Sequence, residues 1–180
     1  MIKFNIASIN SCSEVEGPNK RLTIWFQGCN IHCSGCCNPD YQALVPKNIL
    51  SLEQLIDIIK DAKEKYNIEG VTYSGGEPTL QQNLPFLTKA IHELDLSVLS
   101  FTGRNYEEVK DILTGCDVVL DGAFIQEKRE TKRKILGSTN QRILCLNEKY
   151  QDYEKWFLNG NIKSMEINVS DYIVVNGDSF

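Results

Sequence analysis

The 180-residue chain has no long apolar run, since none exceeds four residues. A bilayer-spanning helix needs about 20 such residues in a row, so none is expected. The opening Met1-Ile2-Lys3-Phe4-Asn5 lacks the apolar stretch of a signal peptide. No repeat, low-complexity tract or linker rich in Pro, Gly or Ser divides the chain, which therefore reads as one domain. Cations are not in excess: the net charge of −5 argues against general nucleic-acid binding. With 42% apolar and 24% charged residues the chain is too apolar for intrinsic disorder.

Cysteine is what the chain has in unusual supply. There are seven, an odd number, and Cys29, Cys33, Cys36 and Cys37 fall within nine residues. A secreted disulfide framework is more often even and spread out. Without an export signal a reducing, cytoplasmic compartment is expected, and the cluster then reads as metal binding or redox chemistry.

Strand-like and helix-like segments alternate around that cluster. Leu22-Thr23-Ile24-Trp25-Phe26 is rich in β-formers and runs into Gly28-Cys29. Ser51 and Gln54 form a capping box ahead of a helix with Leu52, Leu55, Ile56, Ile59 and Ala62 on one face. Val71 to Ser74 is a short strand ending in Gly75-Gly76. Leu84, Leu87, Ile91 and Leu94 mark a second helix, with Pro85 in its first turn. Leu96 to Phe101 is a strand ending in Thr102-Gly103. Asn105 and Glu108 resemble a cap for a helix with Val109, Ile112 and Leu113, and Asp117 to Asp121 is a strand ending at Gly122. This is the grammar of a parallel α/β sheet or barrel, whose active site lies at the carboxyl ends of the strands. There are too few units for eight strands, so an open, partial (β/α) barrel of parallel strands is expected over residues 1–146. Residues 147–180 read as an extension packed on the same domain: a short helix over 150–157, then a β-hairpin of Met165, Ile167 and Val169 against Tyr172 to Val175.

The spacing Cys29-x3-Cys33-x2-Cys36 lets three thiolates wrap one iron–sulfur cube and leaves its fourth iron open to a small molecule. Zinc is the rival metal, with Cys37 or Cys12 as the fourth thiolate. Ser74-Gly75-Gly76-Glu77-Pro78 follows a strand, and its paired glycines permit close backbone approach and positive φ. Glu77 sets a carboxylate beside them. A simple turn is the plainer reading of that segment alone.

Together the two motifs resemble those of the radical S-adenosylmethionine superfamily. Within it the chain from about Glu16 to Arg142 is similar to the activating enzymes of anaerobic ribonucleoside-triphosphate reductase. The likeness rests on Gly17-Pro18 with Arg21, Phe26-Gln27-Gly28-Cys29, Ser34-Gly35-Cys36-x-Asn38, Phe101-Thr102-Gly103, Asp121-Gly122-Ala123-Phe124 and Gly137-Ser138-Thr139-Asn140-Gln141-Arg142. Cys37 stands where an aromatic commonly follows, and Leu136 where an Arg often does. The resemblance implies a [4Fe–4S] cluster on Cys29, Cys33 and Cys36, with S-adenosylmethionine chelating the open iron. It places the methionyl end by Gly75, Gly76 and Glu77, with Glu77 compensating the ammonium charge. The adenine is expected near Gly35, Cys36 and Cys37, and Thr102 and Asp121 are candidates for the amino-acid or ribose groups. A side chain at Gly76 is then expected to block the cofactor and spare the cluster. An electron from a donor such as a flavodoxin or ferredoxin would cleave the sulfonium to a 5′-deoxyadenosyl radical, which takes a backbone hydrogen from a larger glycyl-radical enzyme. Related readings are a radical enzyme that modifies a peptide or nucleoside, and a non-catalytic iron–sulfur or zinc protein.

The remaining candidates read more plainly. His32 is a loop residue that could hydrogen-bond the cluster, and His92 an exposed helix residue. Cys116 and Cys145 read as small hydrophobes, and Cys12 is undecided. Lys128 to Lys134 carries five cations, either a solvated loop or a contact for an acidic partner. Asn140, Gln141 and Arg142 are expected to shape the mouth of the site.

Overall fold

The computed structural model describes residues 1–159, 164–169 and 173–177. Its centre is a seven-stranded sheet of β1 (Lys3–Ser13), β2 (Arg21–Phe26), β3 (Asn48–Ser51), β4 (Gly70–Gly75), β5 (Ser97–Thr102), β6 (Val118–Asp121) and β7 (Arg142–Cys145), in the order β3-β1-β2-β4-β5-β6-β7. The four strands β2, β4, β5 and β6 are parallel. Both flanks are antiparallel: β1 to β2, β3 to β1, and β7 to β6. The all-parallel expectation therefore holds only in the middle. A parallel return needs a crossover, usually a helix. The chain has helices α1 (Leu52–Tyr66) between β3 and β4, α2 (Leu84–His92) between β4 and β5, and a single turn, α3 (Tyr106–Val109), between β5 and β6. No α-helix joins β1 to β2 or β6 to β7, so those strands turn back. Strand β3 escaped the sequence reading because it is four residues long and its first half is exposed.

The sheet is buried on both faces, and strand alternation sorts the residues between two cores. Leu22, Ile24, Phe26, Val71, Tyr73, Val98 and Val119 meet Leu55, Ile59 and Ala62 of α1 and Leu84, Leu87 and Ile91 of α2. On the other face Leu99, Val118 and Leu120 meet Leu136 and Phe157. Phe157 lies on α4 (Tyr153–Leu158), so the segment after residue 146 closes the second core. The Ser51–Gln54 capping box forms as read. Asn105 takes the N-cap position of α3, but its side chain accepts no bond from the helix backbone; its amide donates to Glu108 Oε1 at 3.0 Å. The N–H of Tyr106, the first residue of α3, donates instead to the Asp121 carboxylate at 2.7 Å. Strands β8 (Met165–Val169) and β9 (Ile173–Gly177) pair antiparallel as the hairpin; the turn at Ser170-Asp171 and Tyr172 lie outside the described residues.

Arg21 is fully buried at the amino ends of the parallel strands. Its guanidinium donates to Thr72 Oγ1 and the Val71 carbonyl at 2.8 Å, to Ser97 Oγ at 3.1 Å, and to the Pro18 and Ser97 carbonyls at 3.3 Å. Burial pulls its pKa down to about 10. Gly17 and Gly70 make room for it: a Cβ at Gly17 would meet Arg21 Cδ at 2.7 Å, and one at Gly70 would meet Nη1 at 2.5 Å. The Gly17-Pro18…Arg21 motif thus ties three strands at the end away from the cysteine loop. Arg21→Met leaves several buried acceptors unpaired and is expected to cost about 2–4 kcal/mol, read as a lower denaturation midpoint.

Candidate functional site

The parallel register lines up the carboxyl ends of β2, β4, β5 and β6, opposing Phe26 to Gly75 and Thr102 to Asp121. The cysteine loop leaves β2 and is closed at its base by residues 41–43. Gly28 N–H donates to the Tyr41 carbonyl at 2.8 Å, Cys29 N–H to that of Gln42 at 2.9 Å, and Gln27 Nε2 to that of Ala43 at 2.8 Å. Three later strand ends touch the loop. Asn38 Nδ2 reaches the Gly75 carbonyl at 3.4 Å, Arg104 donates to Asn30 Oδ1 at 2.8 Å, and Ser34 Oγ donates to Gln126 Oε1 at 3.3 Å. The expected convergence of these segments is present.

The glycine pair serves the backbone. Gly75 has φ +107°, a conformation costly for any other residue. A Cβ there would lie 2.4 Å from Phe26 N, and one on Gly76 would lie 2.2 Å from the Gly28 carbonyl oxygen. Gly76 N–H donates to the Phe26 carbonyl at 2.9 Å, and Glu77 N–H to that of Gly28 at 2.8 Å. The two glycines therefore let β4 run against the segment that launches Cys29.

Glu77 is buried and fully engaged. One carboxylate oxygen accepts from Thr79 N–H at 3.1 Å, Thr79 Oγ1 at 2.7 Å and Thr102 Oγ1 at 2.8 Å; the other accepts from Gly103 N–H at 2.9 Å. It joins the ends of β4 and β5. Thr102 Oγ1 also accepts from Arg104 N–H at 3.1 Å. Asp121, fully buried, accepts from Arg142 Nε at 2.9 Å as well as from Tyr106 N–H, and pairs with Arg142 Nη2. The side chains of Glu77, Thr102 and Asp121 thus hold strand ends together, whereas on the loop Gly35 and Cys37 are exposed and Cys36 is half-buried.

Three thiols serve one loop. Cys29 is buried, Cys33 and Cys36 half-buried, and Cys37 exposed. Cys29 Sγ accepts from Ile31 N–H and Cys36 Sγ from Asn38 N–H, both at 3.4 Å. Burial pushes the Cys33 thiol up, and a hydrogen bond from the Phe124 backbone opposes this; Cys29 and Cys36 also act on it electrostatically. Backbone donors at the Cys29 and Cys36 sulfurs, with three thiols on one short loop, suit thiolates that share negative charge, so the donor set fits an iron–sulfur cube. Among the described residues no three His, Cys, Asp or Glu side chains gather closely enough for a single metal ion. A cube sets its thiolates farther apart than one ion does.

Other residues sort by their contacts. Cys116 is buried, its thiol pushed up by burial to about 12. His92 is exposed and lies 3.1 Å from Asp117. In the basic run, Arg133 is internal: it donates to the carbonyls of Gln141 at 2.8 Å, Thr139 at 3.1 Å and Ser138 at 3.3 Å, and pairs with Glu130 at 2.5 Å. Burial raises the Glu130 pKa, but the Lys132 and Thr131 amides and Arg133 outweigh it and bring it down to about 2. Lys134 Nζ sits over the Trp156 ring. Lys128 and Lys132 are exposed. The sequence reading passed over Phe124 and Gln126 as neighbours of the cysteine loop; Asp121-Gly122-Ala123-Phe124 was visible as a motif but not what it faces.

Residues 15–144 match a family described as a 4Fe-4S single cluster domain. The chain is 31% identical over 139 residues to the anaerobic ribonucleoside-triphosphate reductase-activating protein of Vibrio cholerae, covering 72% of this chain and 90% of that one. The protein of the same name from Haemophilus influenzae is 32% identical over 141 residues, with the same coverage. The pyruvate formate-lyase-activating enzyme of Clostridium pasteurianum is 34% identical over 124 residues, 67% of this chain but 52% of that one. With a three-thiol loop at the strand ends and these matches over most of its length, the chain belongs to the radical S-adenosylmethionine activating enzymes, the family of the anaerobic ribonucleoside-triphosphate reductase-activating proteins, oxidoreductases that carry a [4Fe–4S] cluster and use S-adenosylmethionine.

Proposed function

We propose that Cys29, Cys33 and Cys36 ligate the cluster, that S-adenosylmethionine lies over Gly35, Cys36, Cys37, Gly75 and Gly76, and that the protein makes a glycyl radical on anaerobic ribonucleotide reductase. The observation that carries this is the register that brings the cysteine loop to the ends of β4, β5 and β6. Held there, the cluster and S-adenosylmethionine would supply one-electron reductive cleavage of the sulfonium, fed by a donor such as a flavodoxin or ferredoxin, and hydrogen abstraction from a glycine Cα of the partner. The protein's own part is to hold and enclose. Glu77 locks the β4 and β5 ends, and the 122–126 segment walls the loop. On this reading the sheet is the family's open partial barrel, and the partner's reacting loop completes the wall that excludes water.

Anaerobically reconstituted protein mixed with the reductase, a reductant and S-adenosylmethionine is expected to yield 5′-deoxyadenosine and a glycyl radical visible by electron paramagnetic resonance. Turnover of a free peptide or nucleoside without the reductase would overturn the activase reading. Lys128 and Lys132 are the outward cations available to an acidic partner surface. Reversing both to Glu is expected to lower radical yield several-fold, with weaker salt dependence, and to leave uncoupled S-adenosylmethionine cleavage unchanged.

A further inference from the structure

Three exposed apolar side chains gather on the β1–β3 flank beside the cysteine loop: Leu44 is 67% exposed, Val45 53% and Ile49 46%. The segment that carries the first two is strapped to the sheet. Gln27 Nε2 donates to the Ala43 carbonyl at 2.8 Å, Asn5 Nδ2 to that of Val45 at 2.8 Å, and Lys47 N–H to Asn5 Oδ1 at 2.9 Å. Ile49 opposes Asn5 in the β1–β3 ladder. Directly opposed residues of an antiparallel pair project from one face, and so does Lys3, two positions before Asn5. Phe4, Ile6 and Leu50 take the other face, in the core with α1 and α2. The strap, Ile49 and Lys3 therefore share the face turned away from those helices. The patch also reaches the ligand loop. Cys29 N–H donates to the Gln42 carbonyl at 2.9 Å, and a Cβ added to Gly28 would lie 3.1 Å from Leu44 Cδ2.

The charge around the patch is of one sign. Residues 1–13 and 41–52, which build this flank, contain Lys3 and Lys47 and no Asp or Glu, in a chain of net charge −5. Both lysines are exposed, and Lys47 Nζ stands over the Tyr41 ring. The loop leaves β2, between this flank and the β6–β7 connection with Lys128 and Lys132. Three apolar side chains fall short of a stable complex, which buries about 1,200–2,000 Å², and suit the smaller contacts of electron-transfer pairs. Electron transfer weakens steeply with distance, so a carrier has to seat against the ligand loop. We propose that Leu44, Val45 and Ile49, rimmed by Lys3 and Lys47, dock a small acidic electron carrier of flavodoxin type. The apolar edge of its flavin meets the apolar patch, and its surface carboxylates meet the lysines. The flavin loses one electron and the cluster gains it, with no bond made or broken. The reductase keeps the other side of the loop, so both partners fit at once. This rests on the proposed function, in which a carrier protein supplies the electron.

The test uses anaerobically reconstituted protein. Binding of oxidised flavodoxin is measured by calorimetry and cluster reduction by reduced flavodoxin in stopped flow, with dithionite as a reductant that needs no docking. Leu44→Glu with Val45→Glu is expected to weaken binding and slow reduction by flavodoxin about tenfold. Reduction by dithionite, and the glycyl-radical yield it supports, stay at the wild-type level. Lys3→Glu with Lys47→Glu is expected to weaken binding several-fold and to flatten its salt dependence; this pair carries the test if the first does not fold. Unchanged flavodoxin binding and reduction in both pairs overturn the inference. A loss of dithionite-driven radical yield in the variants assigns the patch to the reductase, and a wild-type dimer that the variants dissociate assigns it to a second copy; either overturns the inference. Tighter binding of a ferredoxin, lost in the same variants, overturns the choice of a flavin carrier. Wild-type protein that dithionite reduces but that forms no radical on the reductase overturns the proposed function, and does so without any variant.

Discussion

Replacing Cys29, Cys33 or Cys36 by alanine is expected to abolish the cluster, while Cys37→Ala keeps it. On the proposed ligand set each of the three thiolates would bind one iron of the cube, and the loop offers no substitute in the same position. Cys37 is adjacent to Cys36, so its side chain leaves the backbone in a different direction, and it is the exposed member of the set. Iron and sulfide assayed after anaerobic reconstitution should fall to background in the three variants. Formation of 5′-deoxyadenosine should vanish with them. Loss of the cluster in Cys37→Ala together with retention in Cys36→Ala would show the ligand set to be wrong.

Gly76→Ala is expected to have an effect nearly as large, for a reason that lies in the backbone. Its Cβ would fall 2.2 Å from the Gly28 oxygen, 2.7 Å from the Gly28 carbon and 2.8 Å from the Tyr41 oxygen. None of these atoms can rotate away. The Gly76–Phe26 and Glu77–Gly28 hydrogen bonds must stretch or break, and Cys29 moves with Gly28. A stability loss of about 2–4 kcal/mol is expected, together with poor cluster uptake. Gly35→Ala is the milder comparison. Its positive φ of +72° carries a backbone cost of about 1–2 kcal/mol, but its nearest neighbour, at 2.9 Å, is the end of the flexible Gln126 side chain. Denaturation of the apo protein and iron content after reconstitution check both. A Gly76→Ala protein with a full cluster and wild-type stability that fails only to cleave S-adenosylmethionine would mean the glycine is kept for the cofactor instead.

From sequence Gly76 reads as room for a ligand, because a glycine records only that something comes close, and the structure adds that the Gly28 and Tyr41 backbone comes close as well. Whether that something is a ligand or the neighbouring strand depends on β2 lying beside β4, a contact between residues about fifty positions apart. Glu77 shows the same limit. Its carboxylate was legible as a charge beside the opening, but its four donors come partly from the end of β5, which only folding brings near. The five-cation run looked like one surface feature, yet Arg133 turns inward to three carbonyls.

What the sequence by itself determined is what depends on neighbours along the chain. The spacing of Cys29, Cys33 and Cys36 marks a metal or iron–sulfur loop because one short segment can carry all three thiolates, and together with Gly75-Gly76-Glu77 it carries the family resemblance. The Ser51–Gln54 box and the apolar faces of α1 and α2 follow from local sequence, and the alternation of helix and strand from α1 to β6 follows from local composition. Only the tertiary structure decided that the flanking strands β1, β3 and β7 run antiparallel, since direction depends on how each connection crosses the sheet. It alone decided that Arg21 is a fully buried tie at the far end of the strands, that Asp121 holds Arg142 and the start of α3, and that Ser138, Asn140 and Gln141 hold 122–125 by side-chain hydrogen bonds. Those outcomes are hydrogen bonds between distant segments, and their energy arises only once burial has removed water as the competing partner.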